Sequence, residues 1–139
     1  MDARLIFWPA VAMAVLTFVV QWRLFITRVA EIRREGIRMR EIATSPQLYA
    51  RLKDVKAADN FRNLLELPPL FYLALVITFL TAQVNVLTLA LAWAFFVSRA
   101  IHSYIHCTYN RVRDRFYAYL AGTVVLWVFW AVLAYGLLK

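Results

Sequence analysis

The chain has 139 residues, 63% of them hydrophobic, and a formal net charge of +8. Ordinary soluble domains carry ~45–50% apolar residues, and a chain this short has too little interior to bury the excess, so lipid is its natural solvent. The charges stand in blocks between apolar runs. That pattern excludes nucleic acid as the partner and reads instead as a signal of orientation toward the cytoplasm and anionic headgroups.

The first apolar run predicts a helix over about 5–26. Leu5 to Val20 carries no charge, Pro9 falls in the first turns where its missing N–H costs least, and Trp8 and Trp22 bracket the run as interfacial aromatics do. Gln21-Trp22-Arg23 follows with no small-residue cleavage pattern, so the run reads as a retained helix rather than a signal peptide. Residues 28–59 form a polar loop on the cytoplasmic side; the stretch 28–62 holds nine Lys/Arg and five Asp/Glu. Within it, Ser45 as N-cap and Pro46 at the first helical position predict a helix start. With no strong breaker before Pro68-Pro69, that helix is expected to run straight into the membrane.

From Leu67 to Ser98 there are 32 uncharged residues. As one helix they would reach ~48 Å, against a hydrocarbon core of ~30 Å. Two spans are therefore predicted, about 60–82 and 86–108, with the turn at Ala82-Gln83-Val84-Asn85. Each half is short of the ~20 residues a span needs, so the second must reach back through Glu66 and Asn63, and the third forward through Arg99, His102 and His106. A fourth helix is predicted over about 116–138. The expectation is a single all-α domain over 1–139, a left-handed, up-down-up-down four-helix membrane bundle. Residues 28–62 and 111–115 hold 12 of the 16 Lys/Arg. With four spans both blocks lie on one side, which the positive-inside rule makes cytoplasmic, leaving both termini extracytoplasmic in a bacterial inner membrane.

Ionisable residues inside a membrane are costly unless they face a site or each other. Asp59, Asn63 and Glu66 are spaced four and three apart and share a helix face. Pro68 and Pro69 free the carbonyls of Leu64 and Leu65 beside them, predicting a kink. Arg99, His102, His106, Tyr109 and Arg113 follow at steps of three, four, three and four, one stripe on the third helix. Two polar stripes at one depth point to one site. A plain Arg99–Glu66 ion pair, and basic residues serving only as a topology signal, are the structural alternatives. His102 and His106 could ligate a metal only with a third ligand, for which Glu66 is the evident candidate, and no metal is expected. Cys107, the single cysteine, forms no intramolecular disulfide and reads as a small buried side chain.

At these residues the chain resembles the MAPEG family, the membrane-associated proteins of eicosanoid and glutathione metabolism. The specific features are Asn63-x-x-Glu66-x-x-Pro69, which opens the second span, and the Arg99/His102/His106/Arg113 spacing, and the likeness covers nearly the whole chain. The resemblance implies a homotrimer in membrane lipid, with glutathione as co-substrate between adjacent subunits. It implies that Asn63 and Glu66 hold the γ-glutamyl end, that Arg99, His102 and His106 contribute to binding, and that Arg113 is catalytic, stabilising the glutathione thiolate. It implies a transferase or peroxidase acting on a lipophilic small molecule, an electrophile. Asp59 stands where glutathione-binding members usually carry an arginine, and His102 and His106 replace tyrosines that line the pocket in some members. Two rivals remain: a non-catalytic, lipid- or partner-binding member of the same fold, and a small multidrug transporter. The long basic first loop and the lack of Gly-rich packing motifs stand against the transporter.

Overall fold

A computed structural model describes residues 2–138. Its elements are an N-terminal 3-10 turn (Ala3–Phe7), a second 3-10 turn (Met39–Ile42) and six α-helices: α1 (Trp8–Glu35), α2 (Ser45–Arg51), α3 (Lys56–Glu66), α4 (Pro68–Leu80), α5 (Val86–Cys107) and α6 (Val112–Leu137). Four stretches are long and apolar enough to cross a membrane: the N-terminal 3-10 turn with α1, α3 with α4, α5, and α6. Their outer faces carry bare apolar side chains such as Phe18, Trp22 and Trp127, each more than 60% exposed. An apolar surface of that extent is stable only in lipid. The protein is an integral, multi-pass membrane protein with an all-helical four-span bundle.

The first helix is longer than its apolar run. It passes the expected end near residue 26 and continues to Glu35. Arg28, Arg33 and Arg34 are good helix formers, and their charges lie beyond the hydrocarbon. What stops α1 is Gly36, which takes the left-handed conformation (φ 62°) while Ile37 N donates to Ile32 O at 3.1 Å.

The expected unbroken helix from residue 45 into the membrane does not form. α2 begins after Thr44, not Ser45, with a reciprocal bond from Thr44 N to Gln47 Oε1 at 3.1 Å. It ends at Arg51, and Leu52 turns inward and is buried. The interruption is held from the far side by Glu31 of α1, a buried carboxylate that accepts from Lys53 N at 2.7 Å and Asp54 N at 3.3 Å. These bonds compete with helical pairing of the same backbone groups, and α3 restarts at Lys56.

The second span breaks where the prolines predict. α3 ends at Glu66, Leu67 interrupts, and α4 opens with Pro68 and Pro69 in its first turn. The turn at residues 81–85 closes with Asn85 capping α5, its Oδ1 accepting from Thr88 N at 3.0 Å. α6 starts four residues earlier than expected, so Arg113 and Arg115 lie in its first turn.

The bundle packs along seams with a spacing of three and four. On α5 the seam runs through Thr88, Ala92, Phe95, Arg99, His102 and His106, with Ser103, Ile105 and Cys107 also buried near its end; on α6 the buried positions are Gly122, Leu126, Phe129 and Leu133. Such a repeat keeps one face turned to a neighbouring helix, as in left-handed packing. Phe71 and Phe95 stack in the middle at 4.6 Å between centroids. Trp130 turns inward against this core, while Trp127 faces outward. The α5 seam changes character at its midpoint: Thr88 to Phe95 fill a largely apolar half, and Arg99 to His106 make the other half polar.

Candidate functional site

The polar half of the α5 seam faces α3 and α6. Arg99 is fully buried, and its Nη2 donates to Asn63 O at 3.3 Å. Its guanidinium sits 5.0 Å from the Tyr119 ring centroid. The close approach of α5 and α6 at this level depends on Gly122, where a Cβ would meet Ser98 Oγ at 2.6 Å and Arg99 Cδ at 3.5 Å. His102 packs edge-on against both His106 and Tyr119, each at 5.6 Å between centroids. Arg115 reaches down from α6 to the His106 ring, Nη1 to Nε2 at 3.3 Å, and donates to Asn110 Oδ1 at 2.8 Å. A cavity of about 180 Å³ opens here, lined by Asn63, His102, Val112, Arg115, Phe116 and Tyr119. One wall is polar. The lip is apolar, because Val112 and Phe116 face outward toward lipid.

Among the described residues, five buried side-chain atoms lack a hydrogen-bond partner: Arg99 Nε and Nη1, both ring nitrogens of His102, which lines the cavity, and Nδ1 of His106. Buried polar groups are satisfied in most proteins, and leaving one bare costs about 1–3 kcal/mol. Such a cluster leaves hydrogen-bonding capacity that a polar ligand would satisfy. The two bare guanidinium nitrogens are donors and fit an anionic group.

The structure separates the predicted stripe into two parts. Arg99, His102 and His106 share the buried face of α5, as the spacing requires. The helix then ends at Cys107, so Tyr109 and Arg113 do not continue that face. Tyr109 is exposed in the turn, and Arg113 lies on the outer side of α6 with its guanidinium 5.9 Å from the Tyr117 ring. Helical spacing cannot be carried across residues 108–111, where Asn110 adopts φ 48° and redirects the chain. Arg115, two residues on, is the arginine at the cavity. On the α3 side, Asn63 is half-buried at the cavity and Glu66 is exposed. Asp59 is half-buried. Arg62 points elsewhere, donating to Tyr49 Oη.

Asn60 is the polar residue that spacing alone missed. It is fully buried, accepts from Ser103 Oγ at 3.2 Å and donates to Cys107 Sγ at 3.4 Å. The available signal was its position three residues before Asn63, opposite a serine next to His102. Among the described residues, no group of three or more His, Cys, Asp or Glu is placed to hold a metal ion.

A model of the MAPEG family matches residues 6–135, spanning all four membrane stretches and every residue of the cavity. The chain belongs to the MAPEG family. Searches of curated proteins and of solved structures returned no match. Within the MAPEG frame, the cavity lies where α3, α5 and α6 converge, and its lining comes from those three helices.

Proposed function

We propose that this MAPEG chain is a membrane-bound glutathione-dependent transferase or peroxidase acting on a lipophilic electrophile, and that it works as a homotrimer. The observation that carries the reading is the cavity at the polar end of the bundle. It joins a wall of Asn63, His102 and Arg115 to a lip of Val112 and Phe116 that faces lipid. A polar thiol compound and an apolar electrophile can meet only at such a boundary.

The residues fit glutathione chemically. The exposed Glu66 carboxylate suits the γ-glutamyl ammonium, and the Asn63 amide suits the adjoining carboxylate. The bare Arg99 donors suit a second anionic group. A thiol with a pKa near ~8.5 is mostly protonated at neutral pH, and a guanidinium beside it favours the reactive anion. The thiolate sulfur then bonds to the electrophilic carbon while the leaving group departs with its electron pair. Two arginines are candidates for this role. Family resemblance favours Arg113, which reaches the reaction only if glutathione sits against the outer face of α6, between subunits. Contact with the cavity and with His106 favours Arg115.

The test is calorimetric binding of glutathione to the detergent-solubilised protein, followed by conjugation of an aromatic electrophile. Saturable binding with turnover is the expected result. Absence of binding overturns the reading. Asp59 supports one alternative, since it puts an acid where the family's glutathione carboxylate is usually met. A protein that ignores glutathione until Asp59→Arg is introduced is a diverged, non-catalytic member.

A further inference from the structure

A second recess lies on another side of the molecule, between α1 and α5. Its volume is about 300 Å³, and most of its lining is apolar, including Leu16, Val19, Val20 and Ala100. α1 and α5 run in the same direction, since a single span, α3 with α4, separates them and crosses the opposite way. The recess follows both: from Leu16 to Arg23 on α1, and from Ala100 to Thr108 on α5. Seven residues of helix rise ~10 Å. The slot therefore runs from the middle of the bilayer to the basic end of the bundle.

Arg23 closes the basic end. Its Nη2 donates to the Cys107 carbonyl at the C-terminus of α5, where a cation complements the helix dipole. The side chain is otherwise exposed, and no carboxylate pairs with it among the described residues. Trp22, 65% exposed beside it, sits where interfacial aromatics sit. A cation at the headgroup level, above an apolar slot running toward the midplane, matches one kind of molecule in shape and charge.

We propose that the α1–α5 recess binds an anionic phospholipid of the surrounding leaflet, with its phosphate on Arg23 and one acyl chain along Leu16, Val20 and Ala100. The orientation agrees with that leaflet: headgroup at the basic end, chain toward the bilayer centre. The site is independent of the glutathione reading, because none of its residues lines the α5–α6 cavity.

Native mass spectrometry of the full chain, titrated with phosphatidylglycerol or phosphatidylcholine in detergent, tests it. Phosphatidylglycerol is expected to bind more tightly, and Arg23→Gln to weaken it roughly tenfold, as loss of one charged hydrogen bond does. Arg34→Gln, which removes an exposed arginine in the last turn of α1, should leave affinity unchanged. Ala100→Trp keeps Arg23 but fills the slot, so it should also weaken binding. Equal affinity for the two lipids, or equal losses from Arg23→Gln and Arg34→Gln, overturns the proposal, because the preference is then only general surface charge. Wild-type lipid affinity in Ala100→Trp also overturns it. If that variant instead shifts the oligomer distribution, a second copy of the chain covers the recess.

Discussion

Arg99 makes one hydrogen bond from a fully buried guanidinium. A buried cation with bare donors is poor at stabilising a fold, and well-packed apolar replacements of buried charges are often neutral or stabilising. Arg99→Met should therefore hold or raise the melting temperature in detergent, by an amount equivalent to about 1 kcal/mol or more, while glutathione binding falls. Loss of folding in that variant would make Arg99 a packing device. Glu66 and the two arginines should fail differently. Glu66→Gln removes a charged hydrogen bond made before and during reaction, so affinity should drop about tenfold to a hundredfold. Replacing the thiolate-stabilising arginine should lower turnover with a smaller change in binding. A thiolate absorbance titration on bound glutathione in Arg113→Ala and Arg115→Ala decides which arginine acts. If neither changes the thiolate fraction, no arginine of that turn has the role.

At the scale of elements, the Glu31 carboxylate ties the loop to α1 through Lys53 N and Asp54 N. Glu31→Ala leaves both amides without that acceptor and should cost about 1.5–3 kcal/mol, read as faster proteolysis between residues 36 and 55. Gly36→Ala places a Cβ on a left-handed residue and should cost about 1–2 kcal/mol. The turn at Ala82 (φ 55°) already bears that strain, so Ala82→Gly should relieve part of it and raise the melting temperature. These elements also divide what the sequence disclosed from what it did not. The four spans, the proline break at 67–68 and the Asn85 turn were legible because hydropathy, proline and capping act locally. The reach of α1 to Glu35 was not, since Arg28, Arg33 and Arg34 look like loop but are compatible with helix outside lipid. The stop after Arg51 was also hidden: its cause is Glu31, about twenty residues away. The Arg99, His102 and His106 face was legible from spacing. The cavity's Arg115 was not, because a turn lies between.

For the whole molecule, the basic loop and the 108–111 turn lie at the same end of the four spans. With the positive-inside rule, a reporter fused after the last residue should read as extracytoplasmic. A cytoplasmic signal there would sink that orientation. Native mass spectrometry in mild detergent should give a trimer. The physical motive is the exposed outer face of α6 with Arg113 and Tyr117, together with the exposed Glu66; charges at that depth call for cover. A monomer or dimer alone would count against that assembly.

The apolar lip of the α5–α6 cavity, Val112 and Phe116, has a kinetic consequence. A substrate that enters past that lip is drawn from the two-dimensional pool of the bilayer, so its effective concentration is a mole fraction in lipid. Glutathione comes from water and is counted in molarity. Diluting the proteoliposomes with inert phospholipid, at fixed total amounts of enzyme and electrophile, should then slow turnover while the apparent affinity for glutathione stays unchanged. An enzyme fed from water on both sides would instead follow the free aqueous concentration of the electrophile, whatever its mole fraction in lipid.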